Sequence, residues 1–287
     1  MKSSLDCRER MIAQHDLLPV LPPGVPYLLK ALADENIDFQ ELEIILGRFP
    51  SIVARLLSLA NSSWVSPQVP VTSLKWACSL LGQNLVRSVS IALSVSSPFD
   101  PTRCPGFDSE HFWCTALLAA DGAVLLASST ESNKTFDARA LHTAGLLHNL
   151  GLLWLADNKP KETARAFRLV AADDEKHVAQ CLQDIVGMDY CEVGGCLGRA
   201  WSLPDIFVTI MEHQGNSNYT GVNWWDSTVV GVAANMVSAR LKGLDCPPED
   251  SLRLEQLNIK RAQRDEVYVQ LIEKMNDTRE LARILFS

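Results

Sequence analysis

Leu141 to Ala156 reads LHTAGLLHNLGLLWLA, apolar on nearly every side. Leu141, Ala144, Leu147, Leu152 and Leu155 recur at helical spacing, which predicts one helix wrapped by protein on most sides. At 1.5 Å rise per residue the run is roughly 24 Å long. It is too short, and too interrupted by His142, His148 and Asn149, to span a membrane. A central buried helix requires other helices around it. Three polar residues then sit where water is excluded, and a functional argument has to explain them.

Outward from this segment the chain keeps predicting helices. Upstream, a helix is expected over Ser109 to Ser128. The stretch Ser96 to Gly106, with Pro98, Pro101 and Pro105, is the best internal boundary. Before it, Thr72 is placed to cap a helix through Leu81, Gly82 to supply a left-handed turn, and Gln83 to Val95 to form the next helix. Asp38 with Glu41 resembles a capping box opening a helix through Gly47. Pro50 suits the first turn of another, whose face is Ile52, Val53, Leu56, Leu57 and Ala60. Leu21 to Pro26 forces an extended entry into a helix near Tyr27 to Asp34. Downstream, helices are expected over Lys161 to Ala172, Glu175 to Val186, Cys191 to Trp201, Pro204 to His213 and Ser227 to Leu241. After Pro247 and Pro248, Glu249 to Ser287 is more charged and amphipathic. It either packs back on the domain or presents a surface. No strand-like alternation is long enough to believe, so the fold class is all-α. The expected organisation is an N-terminal lead (1–19), two helical lobes (about 20–100 and 106–245) and a C-terminal extension (246–287).

With 287 residues, 47% of them hydrophobic, the chain can bury a large core. Its net charge of -8 and the absence of a Lys/Arg cluster argue against direct nucleic-acid binding. The helix–glycine–helix unit around Gly82 carries only Lys75 and Arg87 as cations, too few for a recognition helix. The start, MKSSLDCRERMIAQHD, has no apolar core of a secretory signal. This predicts a cytoplasmic protein whose eight cysteines are reduced thiols. Cys191 and Cys196 flank Gly194 and Gly195, a weak metal signal. The chain holds no GxSxG, no Walker A loop and no GxGxxG opening a helix after a strand, so acyl transfer and common nucleotide folds lack a foothold.

Several motifs together carry a family resemblance. Leu21-Pro22, Arg48-Phe49-Pro50-Ser51-Ile52-Val53, Leu59-Ala60-Asn61-Ser62 and Ala77-Cys78-Ser79-Leu80-Leu81-Gly82 resemble the N-terminal half of an HDOD domain. Phe112-Trp113-Cys114-Thr115 is similar to the family's Trp-containing helix, and Ala144 to Gly151 to its AGLLHDIG segment. Glu192-Val193-Gly194-Gly195 with Trp201-Ser202-Leu203-Pro204, and then Met211-Glu212-His213-Gln214, continue the series in order to about residue 241. The resemblance implies an all-α relative of HD-type metal-dependent phosphohydrolases, found in bacterial signalling proteins and mostly without demonstrated catalysis.

In an active HD site, histidines and aspartates from several helices hold one or two metals that activate water on a phosphoester. The resemblance places that set here at Thr115, His148, Asn149, His213, Gln214 and Asn235, with Tyr190 and Cys191 where another histidine would stand. Only His148 and His213 remain as ligands. Two neutral imidazoles fall short of the three or more protein ligands of catalytic zinc and offer Mg²⁺ no carboxylate. They are explained instead as buried, hydrogen-bonded histidines. A rearranged site using His111, Asp108 and Asp121, or His142 and Asn149 on one helical face, is the rival. Trp224 and Trp225, in a Gly- and Asn-rich loop, either anchor a partner or close over the core.

The expected function is therefore a regulatory or scaffolding module in bacterial signalling, without catalysis and without a cofactor. Its expected partners are other signalling proteins, or a small ligand in the cleft between the lobes, with neither nucleic acid nor membrane involved. The alternative is an HD-type phosphohydrolase acting on nucleotide-like phosphoesters. Oligomeric state is not legible.

Overall fold

The structure is a computed structural model that describes residues 19, 21–33, 37–130, 135–173, 176–244 and 250–286. Among these, every regular element is a helix. The expected lead over residues 1–18 and the Pro247–Pro248 break lie outside the described residues.

The N-terminal helices are α1 (Val25–Ala33), α2 (Phe39–Leu46), α3 (Pro50–Ala60), α4 (Leu74–Leu81) and α5 (Gln83–Ser96). Local chemistry fixes their ends. Asp38 accepts a hydrogen bond from the Glu41 amide at 2.8 Å, and Pro50 occupies the first turn of α3. At α4 the cap is Ser73, accepting from the Trp76 amide at 3.2 Å, not the expected Thr72. Gly82 has φ 79° but ψ 153°, so it joins α4 to α5 through an extended kink instead of a left-handed helical turn. Arg87, which a DNA-binding reading would need on the surface, is buried and donates to the Leu32 carbonyl at the end of α1.

A 3₁₀ turn over Pro101–Arg103 leads to α6 (Ser109–Ser129), the spine of the molecule. By length and composition it is the one described helix that could cross a membrane, but 67% of its apolar window is buried by its own chain. Next come α7 (Ala138–Leu147) and α8 (Leu150–Asn158). The single helix expected over Leu141 to Ala156 is thus two, broken at His148 and Asn149, where Asn149 takes φ -106° and ψ 13°. The break lets both helices pack tightly. A Cβ on Gly145 would lie 2.6 Å from Ala120 Cα of α6, and one on Gly151 would lie 2.1 Å from the Tyr190 carbonyl.

The remaining helices are α9 (Pro160–Ala172), α10 (Val178–Val186), α11 (Tyr190–Ala200), α12 (Asp205–His213), α13 (Trp224–Leu241), α14 (Ser251–Leu257) and α15 (Arg261–Phe286). Helix α10 stops at left-handed Gly187. Helix α11 opens with a full capping box. Asp189 accepts from the Cys191 and Glu192 amides at 2.8 Å each, and Glu192 accepts from the Asp189 amide at 3.2 Å.

The C-terminal extension packs back on the helices before it. Helix α15 runs along α6 and buries Val267, Tyr268, Leu271, Met275, Leu281 and Leu285. Phe286 stacks on Trp113 with centroids 4.2 Å apart, and Lys274 reaches Asp121 at 2.7 Å. The main buried core is one cluster running from Leu21 to Leu285. The Pro-rich stretch 96–106 joins two sets of helices that contribute to this one cluster. Trp201 Nε1 donates to the Pro19 carbonyl at 2.7 Å, tying the first described residue to the far half.

Candidate functional site

Five of the six positions of the expected HD constellation lie on α7, α8, α11 and α12 or the turns that end them, or on α6 beneath them. Packing decides what each can do. His148 ends α7, 2% exposed, and its Nδ1–H donates to the Gly145 carbonyl at 2.6 Å. A carbonyl only accepts, so the proton is on Nδ1. Burial pushes the imidazole down to about 4, against the weaker upward pull of the Gly145 carbonyl. His148 is the buried, neutral histidine expected.

Asn149 follows it on the turn, and its Oδ1 is buried without a hydrogen-bond partner. This is the position that would carry an aspartate in an HD site. The neutral amide does not hold a cation as a carboxylate would.

Gln214 comes from the end of α12. It is 3% exposed, and its Nε2 donates to Cys191 Sγ at 3.1 Å across a separation of 23 residues. Cys191 is buried, and burial, aided by Asp189, drives its thiol pKa far up, so the sulfur stays protonated. Tyr190 beside it is raised for the same first reason. Two positions that would hold ligands in an active relative thus satisfy one another. Arg253 of α14 donates to the adjacent Gly215 carbonyl at 3.1 Å, and packs over Gly231, where a Cβ would lie 2.8 Å from its Nη1.

His213 is not the buried histidine expected. Its side chain is 30% exposed and turns outward to stack on Tyr219, centroids 3.9 Å apart with 13° between planes. Partial burial lowers its pKa despite the opposing Glu212 charge. Glu212 is itself held by Arg199 through contacts at 2.6 and 3.2 Å. Thr115 spends its hydroxyl on the His111 carbonyl at 2.8 Å, one turn back on α6. Asn235 is exposed on α13 and does not join the others, a correction to the expected set.

The rearranged alternative does not assemble. Asp108 caps α6 at the His111 amide, and Asp121 lies between His142 at 3.3 Å and Lys274 at 2.7 Å, a cation already in place. The helix break separates His142 from Asn149. Among the described residues no three His, Cys, Asp or Glu side chains gather closely enough to hold a metal ion. The described residues do not fit the metal centre that the resemblance implies.

Two other sequence expectations are revised. Trp224 and Trp225 begin α13 instead of lying in a loop; Trp225 is 3% exposed beside Phe136, and Trp224 is half-buried. Trp225 is thereby spent on the core. Cys78, Cys104, Cys114, Cys181 and Cys191 are free thiols, whereas Cys196 is disulfide-bonded. Pairing depends on sulfurs meeting in space, which spacing along the chain does not reveal.

Comparison with known proteins agrees with this architecture. A protein of Treponema pallidum (strain Nichols) without an assigned function is 23% identical over 206 residues, 70% of this chain; the chain spans only 38% of that relative's length. Among solved structures, an HDOD domain protein of unknown function from Geobacter sulfurreducens superposes with a TM-score of 0.74 at 22% identity, covering 99% of this chain and 98% of the other. A Marinobacter aquaeolei VT8 protein named for signal transduction gives 0.86 at 21% identity, covering 99% of this chain and 66% of its own. A Shewanella amazonensis SB2B protein named for phosphohydrolase activity gives 0.70 at 21% identity, over 97% and 98%. The HDOD domain model itself matches residues 18–217, spanning both the N-terminal helices and the His148 turn, and the chain belongs to the HDOD domain family.

Proposed function

We propose that this chain is a regulatory or scaffolding module in bacterial signal transduction that binds another signalling protein and does not catalyse phosphoester hydrolysis. One observation carries this reading: the positions of an HD metal centre are committed to internal contacts. His148 is bonded to Gly145, Gln214 to Cys191 and Thr115 to His111, while Asn149 replaces a carboxylate. Metal-activated hydrolysis needs several anionic or imidazole ligands with a position left open for substrate, and this set supplies neither. The likeness in fold to a protein named for signal transduction supports the same direction.

The test is elemental mass spectrometry on protein purified without chelators or a histidine tag, with a phosphodiesterase assay in added Mn²⁺ or Mg²⁺. Folded protein with far less than one transition metal per chain and no hydrolysis is the expected result. Metal-dependent hydrolysis abolished by His148→Ala would overturn the reading in favour of an HD-type phosphohydrolase.

A further inference from the structure

Cys196 of α11 differs in state from the other described cysteines. Cys78, Cys104, Cys114, Cys181 and Cys191 are free, whereas Cys196 is disulfide-bonded. The sequence holds two further cysteines, Cys7 and Cys246. Burial pushes the Cys78 and Cys114 thiols up to about 11. Such thiols stay protonated and react slowly, because the thiolate is the nucleophile.

The surroundings of Cys196 favour the opposite form. Arg199 lies one turn further along α11, and its Nη2 donates to the Cys196 sulfur at 3.7 Å. The guanidinium is held in place from α12, where Glu212 accepts from it at 2.6 and 3.2 Å. Gly195 permits that approach, since a Cβ there would lie 2.9 Å from the Glu212 Cβ. A fixed cation does little for a neutral disulfide. It stabilises the thiolate that forms when the bond opens, and a better leaving thiolate departs faster and makes the bond easier to reduce. A disulfide that serves only as a staple gains nothing from this arrangement. Cytosolic disulfides are mostly transient, catalytic or redox-sensing, and the sequence predicts a cytoplasmic chain.

We propose that Cys196 is a thiol–disulfide exchange site opened by a monothiol of the glutathione class, with Arg199 positioned to stabilise the departing sulfur. Cys196 is 3% exposed, so the attacking thiolate bonds to the partner sulfur, the S–S bond breaks and its electron pair leaves with Cys196 beside Arg199. A second thiolate then attacks the mixed disulfide at the sulfur of the small thiol, releasing the oxidised small disulfide and the partner cysteine as a thiolate. Two monothiols have supplied two electrons, and the protons they lost are available to the two protein sulfurs. Negative charge on Cys196 competes with Glu212 for Arg199 across the seam of α11 and α12. The proposal rests on the regulatory reading and gives that module its signal.

The experiment equilibrates the full chain in buffers of reduced and oxidised glutathione, quenches with acid, alkylates under denaturing conditions and maps peptides by mass spectrometry. The expected result is a disulfide from Cys196 to Cys7 or Cys246 that opens as the glutathione ratio rises, while Cys181 stays free throughout. Hydrogen exchange in α12 should be faster in the reduced protein. Arg199→Gln should slow reduction at least about tenfold, and Arg199→Lys should restore most of the rate. Loss of a mere brace would have the opposite sign, loosening the seam and speeding reduction. The proposal is overturned if Cys196 resists glutathione until the chain is denatured, if it stays free in oxidised glutathione, or if Arg199→Gln reduces as fast as the parent. Each of those results leaves the regulatory reading standing, whereas metal-dependent hydrolysis would remove that reading without altering the glutathione titration.

Discussion

His148 holds its neutral form inside the protein, and this makes acid a specific stress. Its imidazole titrates at about 4 when folded and near 6.5 when unfolded, so between those values the unfolded chain binds the extra proton. Stability should be intact above about pH 6.5 and decline by about 3 kcal/mol as pH falls to 4. Urea midpoints measured across that window should show the decline, and His148→Gln should flatten it. Glycines give a second test. Gly151→Ala drives a methyl against backbone on two sides, 2.1 Å from the Tyr190 carbonyl and 2.6 Å from the Gly194 nitrogen. A cost of about 3 kcal/mol is expected. Gly187→Ala meets open space and only a left-handed φ of 83°, so about 1 kcal/mol is expected from the same denaturation series. The sequence already pointed to His148 as a buried histidine, because an imidazole amid leucines has to find a backbone partner. The bond between Gln214 and Cys191 was not legible, since its two ends belong to motifs 23 residues apart and nothing local announces that α11 and α12 bring them together.

At the scale of elements, hydrophobic spacing located most helices to within a few residues, and Asp38 and Pro50 announced two of their starts. It failed at the middle of the central run. Leucines on all sides cannot report a turn at His148 and Asn149, because no polar face exists for a break to interrupt. The C-terminal helix was undecided for the opposite reason: its charged residues permit exposure, and the groove left by Gly122 on α6 is one of the contacts that settle where it lies. Leu271 fills that groove, its Cδ1 3.2 Å from where a Gly122 Cβ would be. Leu271→Ala should cost about 3 kcal/mol by chemical denaturation. A chain ending before Arg261 should expose the apolar side of α6 and recover mainly as aggregate, measured as the soluble fraction at matched expression.

For the whole molecule, the continuous core from Leu21 to Leu285 predicts one cooperative unfolding transition. Tryptophan fluorescence and far-ultraviolet circular dichroism should give coincident denaturation curves. Two separated transitions would mean that the lobes on either side of residues 96–106 fold independently. Such a stretch reads locally as a boundary between lobes; burial of Val95 before it and Phe112 after it in one core is a property of three dimensions.

The bond from Gln214 to Cys191 also makes the protein its own chronometer. Cys191 is sealed beneath an amide, fully protonated and out of reach of solvent reagents, so iodoacetamide can label it only when α11 and α12 separate. The labelling rate, followed by peptide mass spectrometry, counts those separations. Gln214→Leu should quicken the count, and a ligand gripping the far side of the fold would slow it only if it stiffens this junction as well.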